Sequence, residues 1–316
     1  MAMPQFLARF ARGIIPAKSD VPGLQGLCEP GSVPVSCTQV ASYVAGPEHP
    51  RATVVFVHGF TLAADSYFLQ VKHLLDNHPE VRSVLMDLRG HGKTGEVPPE
   101  QCTIDGAADD VLAVIEAYAK TGPIILVGHS LGGHVVLNLI RRCQPEVYER
   151  IHGVLLIATS IESLSAQGSP RLLTTKLADK VFNAMEDTPA EVDKFRGEIA
   201  NLLAPALAAT VFKRLSTPYN LVKFHADMIK ETPLATFVGY FDDLETNSEV
   251  GAAERLSTIP GFVLVGDDDH VTPLSQSNRI MELWTRAELR STDRCGHMLI
   301  LEDPELVNQA LDEILA

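Results

Sequence analysis

The stretch Gly128-His129-Ser130-Leu131-Gly132 constrains this chain more than any other. The apolar run at 123–127 reads as a buried strand, and residues 133–141 read as a helix. A serine with glycine two residues away on each side, at a strand-to-helix junction, reads as a nucleophile elbow. Gly128 and Gly132 are required because the turn is strained and leaves no room for a flanking side chain. The turn lifts Ser130 Oγ into a cleft and sets the Leu131 amide at a helix N-terminus, where negative charge is stabilised.

Around this junction the chain alternates strand-like and helix-like segments. Residues 36–45, 52–57, 81–88 and 153–159 read as strands, and 66–78 and 105–120 as helices. The rhythm stops between Ser160 and Ile259, which is rich in helix formers and has no clear strand. Within it Thr188-Pro189-Ala190-Glu191 reads as a helix start, and Ser216-Thr217-Pro218 and Glu231-Thr232-Pro233 as joints. Strand 261–266, helix 274–284, strand 287–292 and helix 304–315 follow. Near-continuously apolar strands alternating with helices imply an α/β fold, a parallel sheet covered on both faces. The excursion is too long for a loop and is expected to form a cap over the carboxyl edge of the sheet. The expected organisation is an irregular N-terminal extension at 1–34, a core at 35–160 and 259–316, and a helical cap at 161–258.

Composition excludes several classes. A net charge of −14 disfavours nucleic acid as a partner. The five cysteines, Cys28, Cys37, Cys102, Cys143 and Cys295, form no C-x-x-C pair, which fits free thiols in a reducing, cytoplasmic compartment. Two arginines interrupt the apolar residues of 6–15, unlike a signal peptide, and no run is long enough to span a membrane. Phe6, Phe10 and Ile14 lie on one side of a possible short helix, expected to pack on the body and not on a membrane.

A serine hydroxyl needs a base, a group to orient that base, and donors for an oxyanion. Among eleven histidines, His297 stands out: it follows Gly296 just past the last strand, at the sheet edge that carries Ser130. Candidate acids are Asp267, Asp268 and Asp269, between Gly266 and Pro273, giving the chain order serine, aspartate, histidine. A metal at these three is disfavoured because adjacent aspartates on an extended chain point apart. No metal or cofactor is expected. Val57-His58-Gly59-Phe60 ends a buried strand. There Gly59 permits close approach, the Phe60 amide can join that of Leu131 in an oxyanion hole, and His58 reads as a hydrogen-bonder beneath the loop. His129 points away from Oγ by strand alternation and reads as a packing or orienting residue. Arg89-Gly90-His91-Gly92 reads as scaffold for the oxyanion loop, and Cys143 and Cys295 lack a nucleophile's context.

Together Val57-His58-Gly59-Phe60, Asp87-Leu88-Arg89-Gly90-His91-Gly92, Gly128 to Gly133, Gly266 to Pro273 and Gly296-His297 resemble the α/β-hydrolase superfamily. The resemblance implies an eight-stranded, mostly parallel sheet and a cap after the sixth strand. In the family's G-x-x-D-x-x-x-P pattern the third residue after the glycine is the acid, which selects Asp269. A serine at the elbow sets the chain apart from epoxide hydrolases and haloalkane dehalogenases. The single His58-Gly59-Phe60 differs from the His-Gly-Gly-Gly of hormone-sensitive-lipase-like relatives. Within the superfamily the chain resembles the capped esterase, lipase and cofactor-free haloperoxidase-like group.

The expected activity is hydrolysis of a small-molecule carboxylic ester with an apolar acyl group, through an acyl-enzyme, by Ser130, His297 and Asp269. The alternatives are an acyltransferase, perhydrolase or C–C bond hydrolase with the same residues, or a ligand sensor. Leu202, Leu203, Leu207, Val211, Phe212, Leu215, Phe224, Met228, Phe237, Tyr240 and Phe241 are expected to supply the cap's core and part of an acyl pocket.

Overall fold

The computed structural model describes residues 22–163, 211–214 and 216–316. The strands are β1 (Glu29–Pro34), β2 (Gln39–Ala45), β3 (Ala52–Val57), β4 (Val81–Met86), β5 (Ile124–His129), β6 (Ile151–Ile157), β7 (Gly261–Gly266) and β8 (Ala287–Thr292). They form one eight-stranded sheet in the order β1-β2-β4-β3-β5-β6-β7-β8. β1 and β2 run antiparallel to their neighbours, and from β4 to β8 every pairing is parallel. This is the α/β-hydrolase fold, as the motifs implied. The longer helices are α1 (Phe68–Asn77), α2 (Ile104–Tyr118), α3 (Leu131–Arg142), α4 (Tyr219–Glu231), α5 (Leu234–Thr246), α6 (Leu274–Leu283) and α7 (Pro304–Leu315).

β3, β5 and β7 are buried along their whole length, as parallel strands covered on both faces must be. Alternate residues feed two cores. Val55, Val57, Ile124 and Leu126 enter one, with α2 and α3; Val54, Phe56, Ile125 and Val127 enter the other, with α1 and α7. α2 begins where Thr103 Oγ1 accepts the Gly106 amide, a side-chain N-cap.

β1 corrects the expectation that 1–34 is irregular. Its sequence, EPGSVP, is exposed except at Val33, so an edge strand held by backbone pairing carries almost no apolar signature. The expected joints at Pro218 and Pro233 stand one residue before α4 and α5. The expected helix start at Thr188 and the amphipathic segment at 6–15 lie outside the described residues. No described helix is long and apolar enough to cross a membrane.

Strand order fixes where a site can form. The chain leaves β3 to one side to make β4, then crosses to the other side for β5, so the loops after β3 and β5 diverge from adjacent strand ends. Ligands bind at such a switch point. In the β3–β5 register Val57 lies opposite Gly128, which brings residues 58–60 beside Ser130.

The turn after β4 is anchored by a buried ion pair. Arg89 donates from Nε and Nη2 to the two carboxylate oxygens of Asp110 on α2, both at 2.7 Å, and from Nη1 to the Gln101 carbonyl. Both side chains are almost fully buried. Asp110→Ala would strand the guanidinium without a counter-charge. Urea unfolding should show a loss of about 3 kcal/mol or more, several times what an exposed pair such as Lys72–Asp76 gives.

Candidate active site

Ser130 is the N-cap of α3, with φ 53° and ψ −119°, a left-handed-side conformation that a non-glycine residue rarely adopts. The flanking glycines make it possible. A Cβ on Gly132 would lie 2.0 Å from the Val57 carbonyl oxygen, and one on Gly128 would lie 2.5 Å from the Gly132 carbonyl oxygen. A side chain at Gly132 would push α3 away from β3, and one at Gly128 would push it away from β5. Thr159 Oγ1, past the end of β6, donates to the Ser130 carbonyl at 2.7 Å and steadies the turn.

Ser130 Oγ lies 2.9 Å from His297 Nε2, and His297 Nδ1 lies 2.9 Å from Asp269 Oδ2. The structure thus brings together the serine, histidine and aspartate that the sequence selects. Asp267 and Asp268 are exposed, while Asp269 is buried. Burial opposes charge on Asp269, but the His297 imidazole and its hydrogen bond, together with the amides of Thr272 and Val271, outweigh it and hold the carboxyl below its ordinary value. Thr272 Oγ1 adds a 2.9 Å hydrogen bond to Asp269 Oδ2. The sequence reading passed over Thr272, although an aspartate three residues before a threonine in a turn is a recognisable cue.

The His297 loop is held from below. The Glu302 carboxylate accepts the amides of Gly296, Lys213 and Arg214 at 2.7, 2.5 and 2.6 Å. The His297 amide donates to the Val211 carbonyl at 2.9 Å. Glu302 was also not foreseen, since a glutamate on a short helical turn has no distinctive spacing.

Three other histidines, His58, His91 and His129, serve as neutral connectors. The Leu88 amide donates to His58 Nε2, so His58 Nδ1–H donates to the Gly59 carbonyl. Burial pushes His58 down to about 4. His91 stitches the Arg89 carbonyl to the Thr61 amide in the same way. His129 Nε2–H donates to the His297 carbonyl at 2.9 Å, and burial, followed by the His297 charge, pushes it down to about 3. Each of these histidines ties one loop near Ser130 to another. Gly59 is required there, because a Cβ on it would lie 2.8 Å from His129 Nδ1. The amides of Phe60 and Leu131 have no acceptor among the described residues. Cys295 is buried and its thiol is pushed up to about 11 by burial, which removes it as a rival nucleophile.

A cavity of about 140 Å³ opens above Ser130. Its walls include Phe60, Leu131, His134, His225, Ile229, Phe237, Leu244 and Met298. Of the residues expected to shape an acyl pocket, Val211 and Phe237 line it. Phe212, Met228 and Tyr240 are packed in the cores, Phe224 stands edge-on to Phe68, and Phe241 is not one of the walls. Leu202, Leu203, Leu207 and Leu215 lie outside the described residues. The one described cluster with metal-compatible spacing is formed by His73 on α1, His78 just past its end and Asp312 on α7. There both imidazoles already reach Asp312 Oδ1, at 2.7 and 2.8 Å.

A sheet of this order, with such a serine turn, defines the class, and comparison with known proteins agrees. The chain belongs to the alpha/beta hydrolase family, whose model matches residues 54–310. It is similar to a non-heme chloroperoxidase from Burkholderia pyrrocinia, 23% identical over 273 residues covering 84% of this chain and 92% of that protein. Among solved structures it resembles a bromoperoxidase from Bacillus anthracis (TM-score 0.73, 18% identity, 91% of this chain and 99% of that one). It also resembles a thermophilic esterase from Thermogutta terrifontis (TM-score 0.71, 21% identity, 91% and 98%).

Because the folded state lowers the Asp269 value, its ionisation contributes stability that is present above the ordinary carboxylate value of 3.8 and lost as pH falls through the lowered one. The unfolding free energy of wild type relative to Asp269→Asn should therefore shrink on acidification below about pH 4, as measured by urea titration across pH.

Proposed function

We propose that this chain is a serine hydrolase that cleaves small carboxylic esters through an acyl-enzyme. The observation that carries this reading is the unbroken Ser130–His297–Asp269 hydrogen-bonded chain at the floor of a cavity, with the Phe60 and Leu131 amides left without acceptors. His297 Nε2 accepts the Ser130 proton as Oγ bonds to the ester carbonyl carbon, and the carbonyl electrons move onto oxygen. The two amides receive that oxyanion; one such donor contributes on the order of 3 kcal/mol to the barrier. Collapse breaks the bond to the alcohol, which leaves with the proton from His297. Water repeats the sequence and frees the acid. Asp269 keeps Nδ1 protonated and stabilises the imidazolium. No metal or cofactor takes part in this scheme.

Residues 161–258 serve in this reading as the cap, and α4 and α5 contribute His225, Ile229, Phe237 and Leu244 to the cavity. A space of about 140 Å³ suits a short acyl group or a single ring, similar to cavities that admit benzene. The substrate class is accordingly a short-chain ester. A second reading, perhydrolysis, draws on the peroxidase names of two relatives: hydrogen peroxide replaces water at the acyl-enzyme and a peracid leaves.

The test is hydrolysis of p-nitrophenyl esters of increasing chain length. Activity should peak at short chains, vanish in Ser130→Ala, and fall about 10⁴-fold in Asp269→Asn. Full activity in Ser130→Ala would refute the assignment. Adding peroxide separates the second reading by diverting product to peracid.

A further inference from the structure

His225, on α4, is only 3% exposed and lines the cavity above Ser130. It differs from the other buried histidines of that cavity. His129 donates to the His297 carbonyl, and His134 Nε2 lies 3.0 Å from Ser160 Oγ. His225 has no hydrogen-bond partner on either nitrogen among the described residues; its Nδ1 is sealed off and unpartnered. The Phe212 ring stands edge-on to it at 5.5 Å, and Ile229, Phe237 and Leu244 complete that side of the cavity.

A buried polar group without a partner is costly, and in native structures such an orphan calls for an explanation. Burial, then the neighbouring His297, pushes His225 down to about 3, so the ring is neutral and carries one proton. An orphaned buried N–H is rarer than an under-satisfied acceptor. The tautomer that costs least therefore leaves the sealed Nδ1 bare and puts the proton on Nε2, the nitrogen that is not sealed off. On this side of the cavity, away from the Phe60 and Leu131 amides, His225 then presents an undirected side-chain donor.

We propose that His225 is a specificity-determining residue whose Nε2–H receives an oxygen acceptor of the substrate other than the scissile carboxyl group. The substrate class narrows to small esters with an additional ether, hydroxyl or keto oxygen. This rests on the ester-hydrolase reading above. A hydrocarbon ester of equal size would strip water from Nε2–H and return nothing, which is how a polar pocket rejects an apolar isostere.

The experiment uses ester pairs in which an ether oxygen replaces one methylene. On the acyl side these are p-nitrophenyl methoxyacetate against p-nitrophenyl butyrate. On the alcohol side they are 2-methoxyethyl acetate against butyl acetate. The ratio of kcat/KM within each pair is compared between wild type, His225→Phe and His225→Gln, so intrinsic ester reactivity cancels. Thermal unfolding checks that each variant is folded. For at least one pair the ether preference should drop about tenfold or more in His225→Phe and be partly kept in His225→Gln, which can still donate. Unchanged ratios for both pairs in His225→Phe, with hydrolysis still dependent on Ser130, would overturn this inference alone. Absent hydrolysis, or hydrolysis that survives Ser130→Ala, would overturn the ester-hydrolase reading and this inference with it.

Discussion

The contact between α3 and the end of β3 is the constraint on which the rest of the site depends. Gly132 approaches the Val57 carbonyl so closely that an added Cβ would sit 2.0 Å from it. That approach forces Ser130 into its strained backbone conformation, and strain of this kind typically costs about 1–3 kcal/mol. The buried β3–β5 pairing and the α3 core absorb the cost. In return Ser130, Leu131 and Phe60 all line one cavity.

Neutral histidines hold the loops that meet there. His58 joins the strand-end loop after β3 to the segment after β4, His91 joins that segment back to Thr61, and His129 joins the elbow strand to the His297 loop. Burial keeps each of them far below an ordinary imidazole, so their hydrogen bonds do not change with pH in the physiological range. Asp87 extends the network, accepting the amides of Ala64 and Lys93 and the Tyr43 hydroxyl. His297 is the histidine of this group that faces both a serine hydroxyl and a carboxylate.

Much of this was legible in the sequence because it rests on strong local signals. β3 and β7 begin and end where their apolar runs and flanking turns put them, β8 spans 287–292 as expected, and α7 begins at Pro304. The serine turn needed only its glycines and its context. Less was legible where the deciding contact is distant in sequence. β1 shows no pattern because its partner β2 supplies the hydrogen bonds. Asp269 could not be told from Asp267 and Asp268 by chemistry alone, since what separates them is burial against His297. Glu302 and His225 gain their roles from partners or walls contributed by other segments. Tyr240, one of the residues expected to divide between the cap's core and an acyl pocket, buries its ring in the core and donates its hydroxyl to the Arg89 carbonyl, a choice set by packing.

The central claim is that Ser130 Oγ forms the covalent intermediate. The most direct measurement is rapid-quench intact-mass and peptide mass spectrometry during turnover of a short-chain p-nitrophenyl ester. The account predicts one acyl group per chain, on the peptide that contains Ser130, formed and lost at rates consistent with kcat. An acyl group on another residue, or steady turnover with no acylated protein at any time, would contradict it.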